Sequence, residues 1–175
     1  MRSLLSPLLL AAAALAAPLP VDAEITARQD FLVRVPQRIS IQAPAVGANA
    51  DLPPDETRVQ VPQQLWDISA NTASGATVQF STEQSFHNLD DDSIRRDAQL
   101  NVSIISQSRA GAWTVTHSED ITAHQIGEES ASVQVRSVQA GAAVIGLTVT
   151  FLQGDALSTP GGDYVTTVVG TITAN

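Results

Sequence analysis

Three sets of side chains in this sequence have types and spacings from which chemistry could be built: a run of aspartates, three histidines and the serine and acidic residues beside one of them. Asp90-Asp91-Asp92 offers carboxylate oxygens of the kind that a hard cation such as Ca²⁺ gathers from a flexible loop. A helix-loop-helix calcium loop starting at Asp90 requires Gly at its sixth place and Glu at its twelfth. This chain has Arg95 and Asn101 there. Asp90, Asp91 and Asp92 therefore stand as metal candidates against the ordinary alternative of solvated carboxylates paired with Arg95 and Arg96, and no cofactor is expected. His87, His117 and His124 are the three histidines, and without Cys at close spacing they do not make a closed zinc set. Ser118, Glu119 and Asp120 follow His117, but adjacent residues of a strand point to opposite faces, which is the wrong geometry for a proton relay. The chain contains no Gly-x-Ser-x-Gly elbow. It has no glycine-rich phosphate loop, and its one basic pair in sequence is Arg95-Arg96, so nucleic acid is not an expected partner. Asn101-Val102-Ser103 has the pattern of a glycosylation site, but it falls in a predicted strand. The expectation is a protein with no catalytic residues.

The elements that must position these groups read as strands almost throughout. Phe31, Val33 and Val35 alternate with Leu32 and Arg34; after Pro36, Ile39, Ile41 and Ala43 alternate with polar residues. This predicts two strands, or one bent at Pro36. Residues 44–56 hold three prolines, a glycine and no periodicity, which predicts a long irregular loop and a candidate contact surface. Trp66, Ile68 and Ala70 share a face, a turn containing Gly75 follows, and Val78, Phe80 and Thr82 return, the pattern of a hairpin. Residues 83–97 are the charge-dense stretch, with a helical turn expected at the aspartates. Alternation resumes at Leu100, Val102 and Ile104, at Trp113, Val115 and His117, and at Val133, Val135 and Ser137. His117 thereby continues an apolar face and is placed at the edge of a core. The run from Val144 to Leu152 is nearly continuous in apolar residues and threonine, as in a central strand covered on both faces. No segment carries a 3.6-residue apolar stripe long enough for a core helix. The reading is all-β, an immunoglobulin-like β-sandwich of about eight or nine antiparallel strands.

Before these strands, Met1 and Arg2 lead into an apolar run and then Pro18-Leu19-Pro20-Val21-Asp22-Ala23, the three regions of a secretory signal. Residues 1–23 are assigned as a signal peptide cleaved after Ala23, and 24–175 as one domain. The mature chain is expected to have no membrane span and to reside at the cell surface, outside the cell or in the periplasm. Cys is absent, so stability must come from sheet pairing and a core rather than from disulfides. The net charge is −9 and every basic residue is Arg. That balance repels nucleic acid and anionic lipid.

The last strand carries a resemblance. Gly162-Asp163-Tyr164-Val165-Thr166-Thr167-Val168-Val169-Gly170-Thr171-Ile172 resembles the closing strand of bacterial spore coat protein U and archaic fimbrial subunits, where a Gly-x-Tyr start leads into alternating Thr and Val. The resemblance implies an immunoglobulin-like sandwich that polymerises by strand donation, a form of β-augmentation, with the donor within residues 24–35. It implies other subunits, of itself or of the envelope, as partners. A looser likeness is to cell-wall-binding domains marked by Trp-x-Leu, whose nearest counterparts are Trp66-Asp67-Ile68 and Trp113-Thr114-Val115. A monomeric module binding a glycan, calcium or another surface protein through the loops at 44–56 and 83–97 is the alternative. For the closing stretch itself, antiparallel pairing with Val144 to Leu152 through a loop at 153–162 is expected. Tyr164, Val168 and Ile172 should lie on one face and Val165 and Val169 on the other, with the strand central or covered by a partner.

Overall fold

The computed structural model describes residues 25–154 and 159–175; the assigned signal peptide lies outside them. The chain divides into two units, Met1–Arg34 and Val35–Asn175. In the first, residues 25–34 form neither helix nor strand and are exposed, so the strand expected at Phe31 to Val35 does not form. An isolated alternating segment has no ladder to complete and no apolar face to bury.

The second unit is all-β. Its strands are β1 (Ile39–Gln42), β2 (Arg58–Gln60), β3 (Gln64–Ala70), β4 (Ala76–Thr82), β5 (Phe86–Asn88), β6 (Arg95–Gln107), β7 (Trp113–His117), β8 (Glu119–Ile121), β9 (Ser132–Ser137), β10 (Gly141–Leu152), β11 (Tyr164–Val165) and β12 (Val168–Ala174). One short 3₁₀ turn spans His124–Ile126. Eight strands form one antiparallel sheet in the order β1-β3-β10-β6-β5-β11, with β2 added to β10 and β8 to β6. The other four form a second antiparallel sheet, β12-β4-β9-β7.

Alternation decides what each sheet buries. Val78 and Phe80 of β4, Val133 and Val135 of β9 and Trp113 of β7 face Ile68, Leu100, Val102, Ile145 and Leu147 of the larger sheet in one core. Trp66 is half-buried against this core and meets Phe80 edge to face at 5.1 Å. Trp113 is the largest fully buried side chain, at 1% exposure. A second cluster gathers Phe86, Ala98 and Phe151 with Leu52, Val59 and Tyr164. β10 is central, as its composition predicts, with β3 and β2 along one edge and β6 along the other.

That centrality overturns the pairing expected for the chain's last stretch. Both edges of β10 are occupied, so no ladder is left for a hairpin with residues 164–174. Instead β11 pairs with β5, and β12 pairs with β4 in the other sheet. The closing strand is thus two strands, divided at Thr166-Thr167 where the chain passes from one sheet to the other. β12 is an edge strand rather than a central one. The expected hairpin between the Trp66 and Phe80 strands also fails, because β3 is flanked by β1 and β10. The turn between β3 and β4 carries the chain across the sandwich instead. Gly75 sits there at φ 79°, with the Ser137 carbonyl oxygen only 2.3 Å from where a Cβ would stand.

Candidate functional site

β12 ends the four-stranded sheet, and no described strand pairs with its outer side. Its backbone polarity follows from two flanking bonds: Glu83 N donates to Thr167 O, and Asn175 N donates to Gly75 O. In an antiparallel ladder the bonded pairs alternate, so the odd-numbered residues of β12 bond to β4. The N–H and C=O groups of Val168, Gly170, Ile172 and Ala174 therefore face the open side. No strand of the described residues takes them up.

Side chains alternate on the same residues. Val168 and Ile172 pack against the core, whereas Val169, at 41% exposure, and the threonines beside it face outward. Between the two inward residues Gly170 presents no side chain. A Cβ there would lie 2.7 Å from Ile41 Cδ1 of β1 and 2.9 Å from Trp66 Cζ3. Where the two sheets meet along this side, β1 is likewise an edge. The chain enters β1 under restraint: Asn71 Nδ2 donates to Pro36 O at 3.0 Å, and Arg38 N donates to Asn71 Oδ1 at 2.5 Å. Ahead of that restraint Phe31, Leu32, Val33 and Val35 are all strongly exposed.

A second concavity lies at the other end of the larger sheet. Leu52, Val59, Phe86, Phe151, Tyr164 and Val165 are among the residues lining a cleft of about 740 Å³. Phe151 is its hub, meeting Phe86 and Tyr164 edge to face at 5.2 Å each. The irregular loop singled out in the sequence supplies residues 48–52 of the wall.

The aspartates and histidines are not brought together. Asn88 Oδ1 accepts from Asp90 N and Asp91 N, and Asp91 Oδ1 accepts from Ser93 N and Oγ. Ile94 N donates to Asp91 O at 3.0 Å and closes a β-turn, not the expected helical one. The Ser93 hydroxyl, then its N–H, hold the Asp91 carboxyl below its usual range. Asp92 lies 3.3 Å from Arg95 and 4.0 Å from His87. Among the described residues no three His, Asp or Glu side chains form a metal-holding group. His117 is exposed, at a register shift that ends β7, instead of bordering the core.

Two polar clusters escaped sequence reasoning because their members are distant in sequence. Asp97 Oδ1 accepts from Thr122 Oγ1, His124 N and His124 Nδ1 at 2.8–3.0 Å. Fully buried Ser85 donates to Glu129, which also lies 3.5 Å from Arg95. The two clusters tie the 3₁₀ turn and the residue 127–131 loop to β6 and to the residue ahead of β5. Asn101, in β6, donates to Glu119 at 2.9 Å. Comparison with family models, with curated proteins and with solved structures finds no match to this chain.

Proposed function

We propose that the chain is an exported, non-enzymatic structural subunit of the bacterial cell surface or extracellular matrix, similar in kind to fimbrial and spore-coat subunits. Its sandwich is read as immunoglobulin-like. Assembly joins copies of the chain when an exposed N-terminal arm adds a strand to an open sheet edge. The observation that carries this reading is β12, a seven-residue edge strand with four consecutive alternate residues whose backbone groups face outward.

The arm supplies the complement. Phe31, Val33 and Val35 have the period-two alternation of a strand but no ladder at home. Charge favours the same pairing, because residues 25–38 carry three arginines and one aspartate while residues 39–175 carry five arginines and fifteen acidic residues. A basic arm on an acidic body is steered toward other bodies. Light scattering and electron microscopy of the mature chain test the reading. Oligomers or fibres are expected, and removal of residues 25–35 should leave a folded monomer. A mature chain that stays monomeric at high concentration contradicts it.

The aromatic cleft favours a second reading, a monomeric binding module for a glycan, calcium or another surface protein. Calorimetry and a glycan array distinguish the two: a ligand lost on Phe151→Ala, bound by a monomer, would support the module.

A further inference from the structure

Resting on that reading, we infer that the arm of a second copy lies antiparallel along β12 in one register, with Leu32 beside Val169, and that Glu83 and Arg34 lock it. Parity comes first. If Phe31, Val33 and Val35 face inward, then Leu32 and Arg34 fall on the outer face, the face that also carries Val169 and Glu83, since Phe80 and Thr82 on the alternate positions of β4 are buried.

Three matches then select the register. Phe31 falls beside Gly170, the one inward position of β12 with no side chain of its own, where the ring would pack against Ile41 and Trp66, which already lie over that glycine. Val33 falls beside Val168, which already packs on the core. Leu32, 87% exposed in its own arm, covers Val169, 41% exposed on its strand. A shift of two residues sets Phe31 against the side chain of Val168 or Ile172 instead.

Charge agrees with this placement. Arg34 comes to Thr167, whose carbonyl is bonded to Glu83 N. Glu83 then lies two strand spacings from the arm, roughly 10 Å, a gap that the two long side chains span. Glu83 has no ion-pair partner among the described residues.

The chain's own arm cannot reach this position. Pro36 is bonded to Asn71, which belongs to the turn leading into Ala76, and Ala76 pairs with Ala174. Placing Arg34 at Thr167 needs the full length of β12, about 23 Å at 3.3 Å per residue. The two residues from Arg34 to Pro36 span at most about 7 Å. The partner is therefore another copy of this chain.

The absence of Cys allows a direct test in the full mature chain. A residue pair with close Cβ atoms across a ladder is within disulfide reach. The double variant Leu32→Cys/Val169→Cys, mildly oxidised, should give a ladder of covalent dimers, trimers and longer species on a non-reducing gel. Leu32→Cys/Thr173→Cys, displaced by four residues on the same face, should lose that ladder. Glu83→Arg or Arg34→Glu alone should reduce the ladder at low salt, and the two together should restore it. Equal ladders from the two cysteine pairs, or a disulfide within one chain, would overturn the register. So would scattering that shows assembly without a Leu32–Val169 crosslink, although self-assembly itself would then stand. Neither assembly nor crosslink would remove both the register and the reading beneath it.

Discussion

The two edges of the four-stranded sheet differ, and the difference separates a strand that anchors the core from one whose outer side no described strand pairs. At one edge, β7 begins with the fully buried Trp113 and ends in a register shift between Val115 and His117. There Thr116 Oγ1 donates to the carbonyl oxygen and side-chain oxygen of Gln134, and the chain turns away into β8. Bulges and early termination are devices that keep an edge from pairing. At the other edge, β12 runs seven residues in regular register and contains no proline, no charge and no bulge. An unguarded edge of this kind is a template on which another strand can pair. The β7 edge anchors the core; the β12 edge is left open.

Substitutions at the two edges should therefore fail differently. Trp113→Ala removes the largest fully buried side chain and is expected to cost ~3–5 kcal/mol. For a chain of this size that lowers Tm by roughly 10 °C, seen by circular dichroism of the monomer, with assembly lost only through unfolding. Neither Trp113 Nε1 nor Trp66 Nε1 has a hydrogen-bond partner among the described residues, so Trp→Phe at either place removes no bond seen there and costs less. Next in size, Gly170→Val drives a branched side chain toward Trp66 and Ile41. Overpacking of this kind costs about 1–3 kcal/mol, and it also displaces the Ile41 and Trp66 side chains against which Phe31 is proposed to pack. Thermal melts should show a modest fall and light scattering a loss of assembly.

Val169→Lys sharpens the contrast, because its side chain faces solvent. Tm should stay within about 1 °C of the parent, since exposed substitutions rarely exceed ~0.5 kcal/mol. Association should weaken about tenfold, equivalent to ~1.4 kcal/mol. The smallest effect belongs to the aspartate turn. Ser93→Ala removes the hydroxyl bond that most lowers the Asp91 carboxyl, so its titration by NMR should move up toward the ordinary carboxylate range. A depressed folded value gives a contribution that is present above the unfolded pKa and lost as pH falls through the folded one. In the variant that loss should begin at higher pH, with assembly unchanged.

Much of the architecture was legible in the sequence because alternation reports burial directly. The inward faces of β3, β4, β9 and β10 fall where Trp66, Phe80, Val133 and Ile145 place them. Sheet membership was not legible. Residues 66–70 and 78–82 read as a hairpin, and only the occupied edges of β3 show that the intervening turn crosses the sandwich. The same limit governed the last stretch: Tyr164 to Thr173 has continuous strand composition, yet it divides at Thr166-Thr167 because β10 has no free edge. Gly170 was visible as an exception in that run, but its meaning lies in Ile41 and Trp66, more than a hundred residues earlier. The arm has the alternation of a strand, but no described strand pairs with it.

Amide hydrogen exchange along β12 tests the central claim most directly. In the monomer the N–H groups of Val168, Gly170, Ile172 and Ala174 face the open side and should exchange fast, while those of Val169, Thr171 and Thr173, bonded to β4, exchange slowly. On assembly the four even-numbered amides should become protected and the odd-numbered ones should change little. Assembly that leaves the four even-numbered amides fast would contradict the account.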